Sequence, residues 1–392
     1  MTFPERFSNL PAYAFPRLRA LLDVHPSGGD VVHMTIGEPK HAFPAWVTDV
    51  IAEHGAGFNS YPPNEGIPEL RAAFCDWLAR RYSVHMDPDV HVMPLNGTRE
   101  GLYNAGMALC PEAKNGQRPV VLMPNPFYQV YMLAAISSGA EPVLVPATAE
   151  TGHLPDYASV DPDILNRTVA CYMCSPANPQ GAVADKAYWR TLIALADRYD
   201  FQIFADECYS EIYRDVPPVG ILECVSDAHP ERVVAFHSLS KRSNLPGLRS
   251  GFVVGGPETM RQVKQLRTYA GTPLPTPLQY AAAAVWADEV HVVENRAQYH
   301  EKYEMADAIL GDVPGYVAPE AGFFLWLPVA DGEAAALKLW KATGVRVLPG
   351  AYLAREVDGF NPGQKYIRVA LVAPKAETER GLRAIRDVIY AQ

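Results

Sequence analysis

The chain has 392 residues, 48% hydrophobic and 20% charged, which is enough for two domains with sizeable cores and far from the composition of a disordered segment. A formal net charge of -10 argues against a nucleic-acid or anionic-membrane surface, so an acidic substrate has to be met by local arginines. Nothing approaches the roughly eighteen consecutive apolar residues of a membrane span, and MTFPERFSNLPAYAF lacks an apolar core of signal-peptide length, so a cytoplasmic enzyme is expected.

Residues 10–24 carry a short amphipathic segment, and VVHMTIGEPKHAFP then brings extended chain to Gly37, with two prolines blocking a helix. Pro62, Pro63 and Gly66 mark a turn, and from Pro68 onward Leu70, Phe74, Trp77 and Leu78 recur at helical spacing. MPLNGTREGLYNAGMAL reads as a strand ending in Asn96-Gly97-Thr98, followed by a helix. The free amides and positive dipole of that helix start suit an anion; a plain Thr cap is the alternative. VVLMPNPFYQVYMLAAISSG is another strand, turn and helix with Tyr128 at the turn, and EPVLVPA is a short strand. VACYMC reads as a buried strand running into the turn Asn178-Pro179-Gln180-Gly181. Cys171 and Cys174 form a CxxC inside it, but no second pair stands at zinc spacing, and six cysteines are too sparse for a disulfide scaffold.

A helix over 186–199 leads to the strand Phe201–Ala205, which ends in Asp206, with Tyr209 three residues on. A carboxylate at the end of an apolar strand is expensive unless paired, so Asp206 wants a cation, or else caps a helix. The apolar run Val233–Phe236 ends near Lys241, expected on a loop at the strand end where its amine can condense with a carbonyl. Ser238 and Arg249 flank it, and hydroxyls plus a guanidinium fork suit a phosphate. A lysine beside a phosphate site points to pyridoxal phosphate. Helices follow over 258–268 and from Leu278, and the chain beyond about 290 alternates helix and strand as a smaller α/β domain joined by a long helix. Arg368 lies inside the apolar strand YIRVALV and needs an anion, either a substrate carboxylate or a structural salt bridge.

Ser238-x-Ser240-Lys241, with Arg249 eight residues after the lysine and Gly251 beyond it, resembles the signature of fold-type I, class I/II aminotransferases; Ser250 departs from the aliphatic residue usual before that glycine. SKRSNLPGLRSGF, MTIGEPKH, MPNPFYQVY and ADECYSEIY are most similar to the proteobacterial N-succinyldiaminopimelate aminotransferase branch, with matches from about Phe15 to Val372. The resemblance implies an α/β fold with a large domain of mostly parallel sheet between helices, residues 45–289, a smaller domain, 290–392, and an N-terminal arm that also supplies part of the smaller domain, 1–44. It implies pyridoxal 5'-phosphate held by Lys241, which also acts as the base. Asp206 then sits on the ring nitrogen, Asn178 and Tyr209 on the phenolic oxygen and Tyr128 against the ring face. Gly97, Thr98, Arg99, Ser238 and Arg249 hold the phosphate, together with Tyr61 of a neighbouring subunit, so a homodimer with shared sites is expected. Thr272 or Thr276 is the hydroxyl expected to face that neighbour's phosphate. Gly37, Asn178 and Arg368 meet the substrate α-carboxylate. The implied reaction moves an amino group from an amino acid to a 2-oxo acid, here from N-succinyl-LL-2,6-diaminopimelate to 2-oxoglutarate, and Arg99, Arg242 and Arg267 stand as candidates for the donor's distal carboxylate. Aspartate or aromatic aminotransferase and carbon-sulfur β-lyase chemistry share these cofactor residues. A ligand sensor lacks a DNA-binding extension here, a dehydrogenase lacks G-x-G-x-x-G, and a serine hydrolase lacks G-x-S-x-G.

Overall fold

The computed structural model describes residues 5–8, 10, 12–225 and 230–391. Residues 1–4, 9 and 11 of the expected N-terminal arm lie outside the described residues.

Among the described residues, twelve strands form three sheets. In chain order they are β1 Val32–His33, β2 Val92–Leu95, β3 Val120–Asn125, β4 Glu141–Pro146, β5 Thr168–Cys174, β6 Gln202–Asp206, β7 Val233–Ser238, β8 Gly251–Gly255, β9 Phe324–Pro328, β10 Val345–Arg346, β11 Leu348–Pro349 and β12 Tyr366–Ala370. The central sheet has seven, in the order β2-β8-β7-β6-β5-β3-β4. Its pairs from β7 to β4 are parallel, and β8 runs antiparallel to both β7 and β2. Every residue of β2, β3, β5, β7 and β8 is buried. That explains why these segments read as unbroken apolar runs rather than alternating ones: helices cover both faces.

One face packs against Phe74, Trp77 and Trp286, delivered by the helices Pro68–Tyr82 and Thr276–Ala287; the other packs against Tyr131 from the helix Gln129–Ser137. The expected helix over 186–199 forms as Lys186–Tyr199, because the Asp185 side chain accepts from the Tyr188 amide at 2.7 Å and Asp200 turns left-handed at the far end. The helix Val290–Leu310 spans 21 residues and leads into the second unit. There it contributes Tyr299, Tyr303 and Leu310 to a core shared with Phe323, Phe324, Leu339 and Ile367. Glu211, buried after β6, accepts from Arg81 Nε and Arg296 Nη2, each at 2.8 Å, and so ties two distant helices to one carboxylate. The antiparallel sheet β11-β12-β9 and the parallel pair β1-β10 complete this unit. Among the described residues no helix is long and apolar enough to cross a membrane.

Register aligns Cys174 with Asp206 and Asp206 with Phe236, so β5, β6 and β7 finish at one edge of the sheet. The carboxyl ends of parallel strands are where such sheets bind ligands.

Candidate active site

A cavity of about 510 Å³ opens at that edge, lined by residues from β6, β7, β12, the turns after β3 and β5, and the segments 13–15 and 36–38. Lys241 enters it from a one-turn helix, Leu239–Arg242, rather than from the loop expected. The reason is a cap: Ser238 Oγ accepts from the Ser240 amide at 3.1 Å, which turns the chain as soon as β7 ends. Lys241 Nζ donates to the Gly37 carbonyl at 2.5 Å. Burial, helped by the Arg368 and Arg249 charges, brings its ammonium down to about 8.

Asp206 starts no helix, so the capping alternative falls away. It is buried, Oδ2 accepts from Tyr131 Oη at 2.7 Å, and Oδ1 accepts from the Cys208 amide at 3.4 Å. Burial raises its carboxyl above the usual carboxylate range. Among the described residues no basic side chain forms an ion pair with it, so a protonated ring nitrogen in the cavity is a fitting complement. Tyr131 is a residue that the sequence does not single out. Its spacing of three from Tyr128 places both rings over one stretch of helix start, and the two rings meet edge-on at 5.7 Å.

Another part of the lining gathers groups that suit an anion. Gly97 has φ +84° and immediately precedes the helix Thr98–Leu109. A Cβ there would collide with the Arg249 guanidinium, with Cζ at 2.6 Å, so glycine is what lets that side chain lie across the helix start. Arg249 donates to the Pro246 carbonyl at 2.8 Å and has no carboxylate partner among the described residues. Thr98, Ser238 and Ser240 line the same wall. Backbone amides, hydroxyls and an unpaired guanidinium fit a phosphate.

Arg368 projects from β12 and is buried. Nη1 donates to Asn178 Oδ1 at 2.9 Å and Nη2 to the Thr35 carbonyl at 2.7 Å, while the guanidinium lies 4.2 Å from the Phe324 ring centre. Nε has no partner. Burial brings its pKa down to about 10, so it stays a cation at neutral pH. The structural salt bridge considered from sequence is absent among the described residues, so a carboxylate in the cavity would be a fitting complement. Lys241 and Arg368 are thus both referenced to the backbone of residues 35–37.

Tyr128 immediately precedes the helix Gln129–Ser137, and its Oη accepts from Arg99 Nε at 2.6 Å. Tyr209 is buried and rests edge-on against Phe323 and Phe324. The cavity therefore gathers Gly37, Thr98, Arg99, Tyr128, Asn178, Asp206, Tyr209, Ser238, Lys241, Arg249 and Arg368, with Gly97 directly behind Arg249. Tyr61 is not among them; it stands fully exposed at 102%. Thr272 and Thr276 also lie outside the cavity lining. Two candidates for the distal carboxylate are corrected. Arg242 is buried under the Val285 and Asp288 carbonyls and pairs with Glu289 at 2.9 Å, and Arg267 is buried against Glu100, so both are spent on structure. Arg99 alone of the three reaches the cavity, beside Tyr13 and Phe15, whose part the sequence did not signal.

The family model described as aminotransferase class I and II matches residues 29–385. The crystal structure of an aminotransferase from Neisseria meningitidis is 38% identical, covers 98% of this chain and 99% of that one, and superposes with a TM-score of 0.93. An aminotransferase structure from Helicobacter pylori is 32% identical with 98% of both chains covered and a TM-score of 0.88. Among curated relatives, the LL-diaminopimelate aminotransferase of Desulforudis audaxviator is 31% identical over 99% of both chains, and that of Dehalococcoides mccartyi is 29% identical over 99% of both.

Proposed function

The chain belongs to the class I and II aminotransferases, which are pyridoxal-phosphate enzymes, and we propose that it takes the amino group of N-succinyl-LL-2,6-diaminopimelate and passes it to 2-oxoglutarate. When bound, the cofactor supplies an electron sink that weakens the α-C–H bond of the amino acid. The chain's own residues do the rest. Arg368 grips the α-carboxylate with its free donors, while Asn178 and the Thr35 carbonyl stop the guanidinium from rotating. Lys241 Nζ takes up the α-proton; with its ammonium down to about 8, an appreciable neutral fraction is present near neutral pH. Asp206, steadied by Tyr131, would keep a proton on the ring nitrogen of the bound cofactor, and Tyr209 and Asn178 would serve its phenolic oxygen. Gly97, the first-turn amides of Thr98 and Arg99, Ser238 and Arg249 would hold the phosphate, and Tyr128 would cover the ring. Tyr61 would complete the phosphate site of a second copy, in a cytoplasmic homodimer whose units follow the boundaries 1–44, 45–289 and 290–392.

Arg99 carries the substrate reading. With Arg249 given to the phosphate and Arg368 to the α-carboxylate, it is the remaining guanidinium in the cavity lining and has no carboxylate partner among the described residues. It therefore suits a donor with a second, distal carboxylate. The string SKRSNLPGLRSGF supports the succinylated donor. The relatives named LL-diaminopimelate aminotransferases favour a second reading, the unsuccinylated donor. The test is a half-reaction titration of cofactor-loaded protein with each amino acid singly, followed by its absorbance. Conversion by N-succinyl-LL-2,6-diaminopimelate and glutamate, with kcat/KM for the former falling about 10- to 100-fold in Arg99→Ala, is the expected result. Conversion by LL-diaminopimelate alone selects the second reading. Conversion by aspartate or aromatic amino acids instead discards both.

A further inference from the structure

Lys302 is a buried lysine that the chemistry above leaves unused. It sits in the helix Val290–Leu310 at 3% exposure, with Nζ 2.8 Å from His41 Nε2 and 3.0 Å from the Leu371 carbonyl. No carboxylate pairs with it among the described residues; the adjacent Glu301 points outward to Lys375. A buried cation kept without a counter-ion needs a use, because its desolvation is not offset by an ion pair.

Its contacts form a chain with one direction. Burial brings the Lys302 ammonium down to about 8, so near neutral pH it is mostly charged; an ammonium can only donate, so His41 Nε2 accepts. His41 is held neutral, since burial and the Lys302 charge lower its pKa. The ring proton then sits on Nδ1, which donates to Asn295 Oδ1 at 3.1 Å. Asn295 Nδ2 in turn lies 3.3 Å from the carbonyls of both Lys241 and Arg242. Asn244 braces the joint, donating to Asn295 Oδ1 at 3.0 Å and to the Ala42 carbonyl at 3.2 Å. His41 belongs to the same segment whose Gly37 carbonyl holds Lys241 Nζ and whose Thr35 carbonyl holds Arg368. Lys241 is thereby fastened at both ends, its backbone carbonyl through Asn295 and its amine through Gly37.

We infer that Lys302, His41 and Asn295 are positioning residues, a hydrogen-bond chain that registers the Thr35–Ala42 segment against the backbone of Lys241 and so sets where its amine stands relative to the carboxylate held by Arg368. This rests on the reading of Lys241 as the proton carrier. None of the three residues lines the cavity; the chain acts through Lys241.

The experiment uses cofactor-loaded full-length His41→Ala, His41→Asn, Asn295→Asp and Lys302→Met, with Lys241→Met as the control for the underlying reading. Single-turnover amino transfer, its pH midpoint, the KM for the 2-oxo acid and thermal unfolding are measured for each. His41→Ala and Asn295→Asp are expected to slow the single turnover about tenfold or more and to move its pH midpoint by about half a unit, with KM within about twofold, because misplacing a reacting group penalises the chemical step more than binding. His41→Asn keeps a donor where Nδ1 stood and recovers at least about threefold over His41→Ala. If Lys241→Met turns over normally, the reading of Lys241 fails and takes this inference with it. If Lys241→Met is inactive while folded His41→Ala matches the parent in rate and pH midpoint, the inference alone fails. Equal losses in His41→Ala and His41→Asn at an unchanged pH midpoint mean a merely structural contact and also overturn it. Lys302→Met tests the far end of the chain by the same measures, and His41→Ala, at a half-buried site, keeps the test decisive should Lys302→Met not fold.

Discussion

Replacing Lys241 with methionine should abolish turnover and, at the same time, stabilise the cofactor-free protein. The lysine is held in the cavity with its pKa brought from 10.5 down to about 8, chiefly by burial. At about 1.4 kcal/mol per unit, the folded state carries a penalty of at most about 3.5 kcal/mol for the charged amine. The sign follows from proton linkage. Between pH 8 and 10.5 the unfolded chain keeps a proton that the folded chain has lost, so stability rises with pH across that window and lies at its lower level below pH 8. Methionine nearly conserves the side-chain volume, so packing is retained, while loss of the bond to the Gly37 carbonyl returns about 1 kcal/mol. The net expectation is a Lys241→Met protein more stable by about 2 kcal/mol at pH 6.5, with the difference shrinking as the pH approaches 10. Urea unfolding of both proteins at matched concentration at about pH 6.5, 8 and 9.5 measures this, and other groups that titrate in the range cancel in the difference. A variant no more stable than the parent at pH 6.5, or a difference that ignores pH, would refute the account of Lys241 as a desolvated base. Steady-state amino transfer should fall by at least about 10²- to 10⁴-fold.

Tyr131→Phe removes the 2.7 Å hydrogen bond to a buried carboxylate and should lower kcat/KM about 10- to 100-fold, in line with about 1.5–3 kcal/mol for a bond to a charged group. With that donor gone the Asp206 carboxyl rises further, so pyridoxal phosphate should dialyse out of the variant faster than out of the parent; unchanged retention and kcat/KM would remove Tyr131 from the site. Gly97→Ala forces a Cβ at φ +84° into the Arg249 guanidinium and should weaken pyridoxal phosphate binding about tenfold or more, read by spectroscopic titration. An unaltered dissociation constant would mean that Arg249 is not the phosphate ligand.

Much of this site is legible along the chain because its parts stand at the ends of strands, and strand ends are announced locally. The apolar runs before Asp206, Lys241 and Asn178 and the glycine before Thr98 each mark a place where backbone stops pairing and side chains or amides become free to bind. Arg368 could be singled out for a similar reason, since a charge within YIRVALV has to find an anion wherever the strand goes. Which partner a charge finds is a different matter. Arg99, Arg242 and Arg267 are alike in sequence, yet two of them are consumed by Glu289 and Glu100 and one faces the cavity. Tyr131 reads as an ordinary apolar helix residue until β6 brings Asp206 against its hydroxyl, 75 positions away. Lys302 and His41 meet across 261 positions, and no periodicity encodes that contact. Local sequence determined the order of strands and helices and the chemistry available at each strand end, because hydrophobic period and turn residues act over a few positions. Tertiary packing alone decided which buried groups would be neutralised, which left waiting for a ligand and which set to steer Lys241, because desolvation and hydrogen-bond partners exist only once distant segments share one interior.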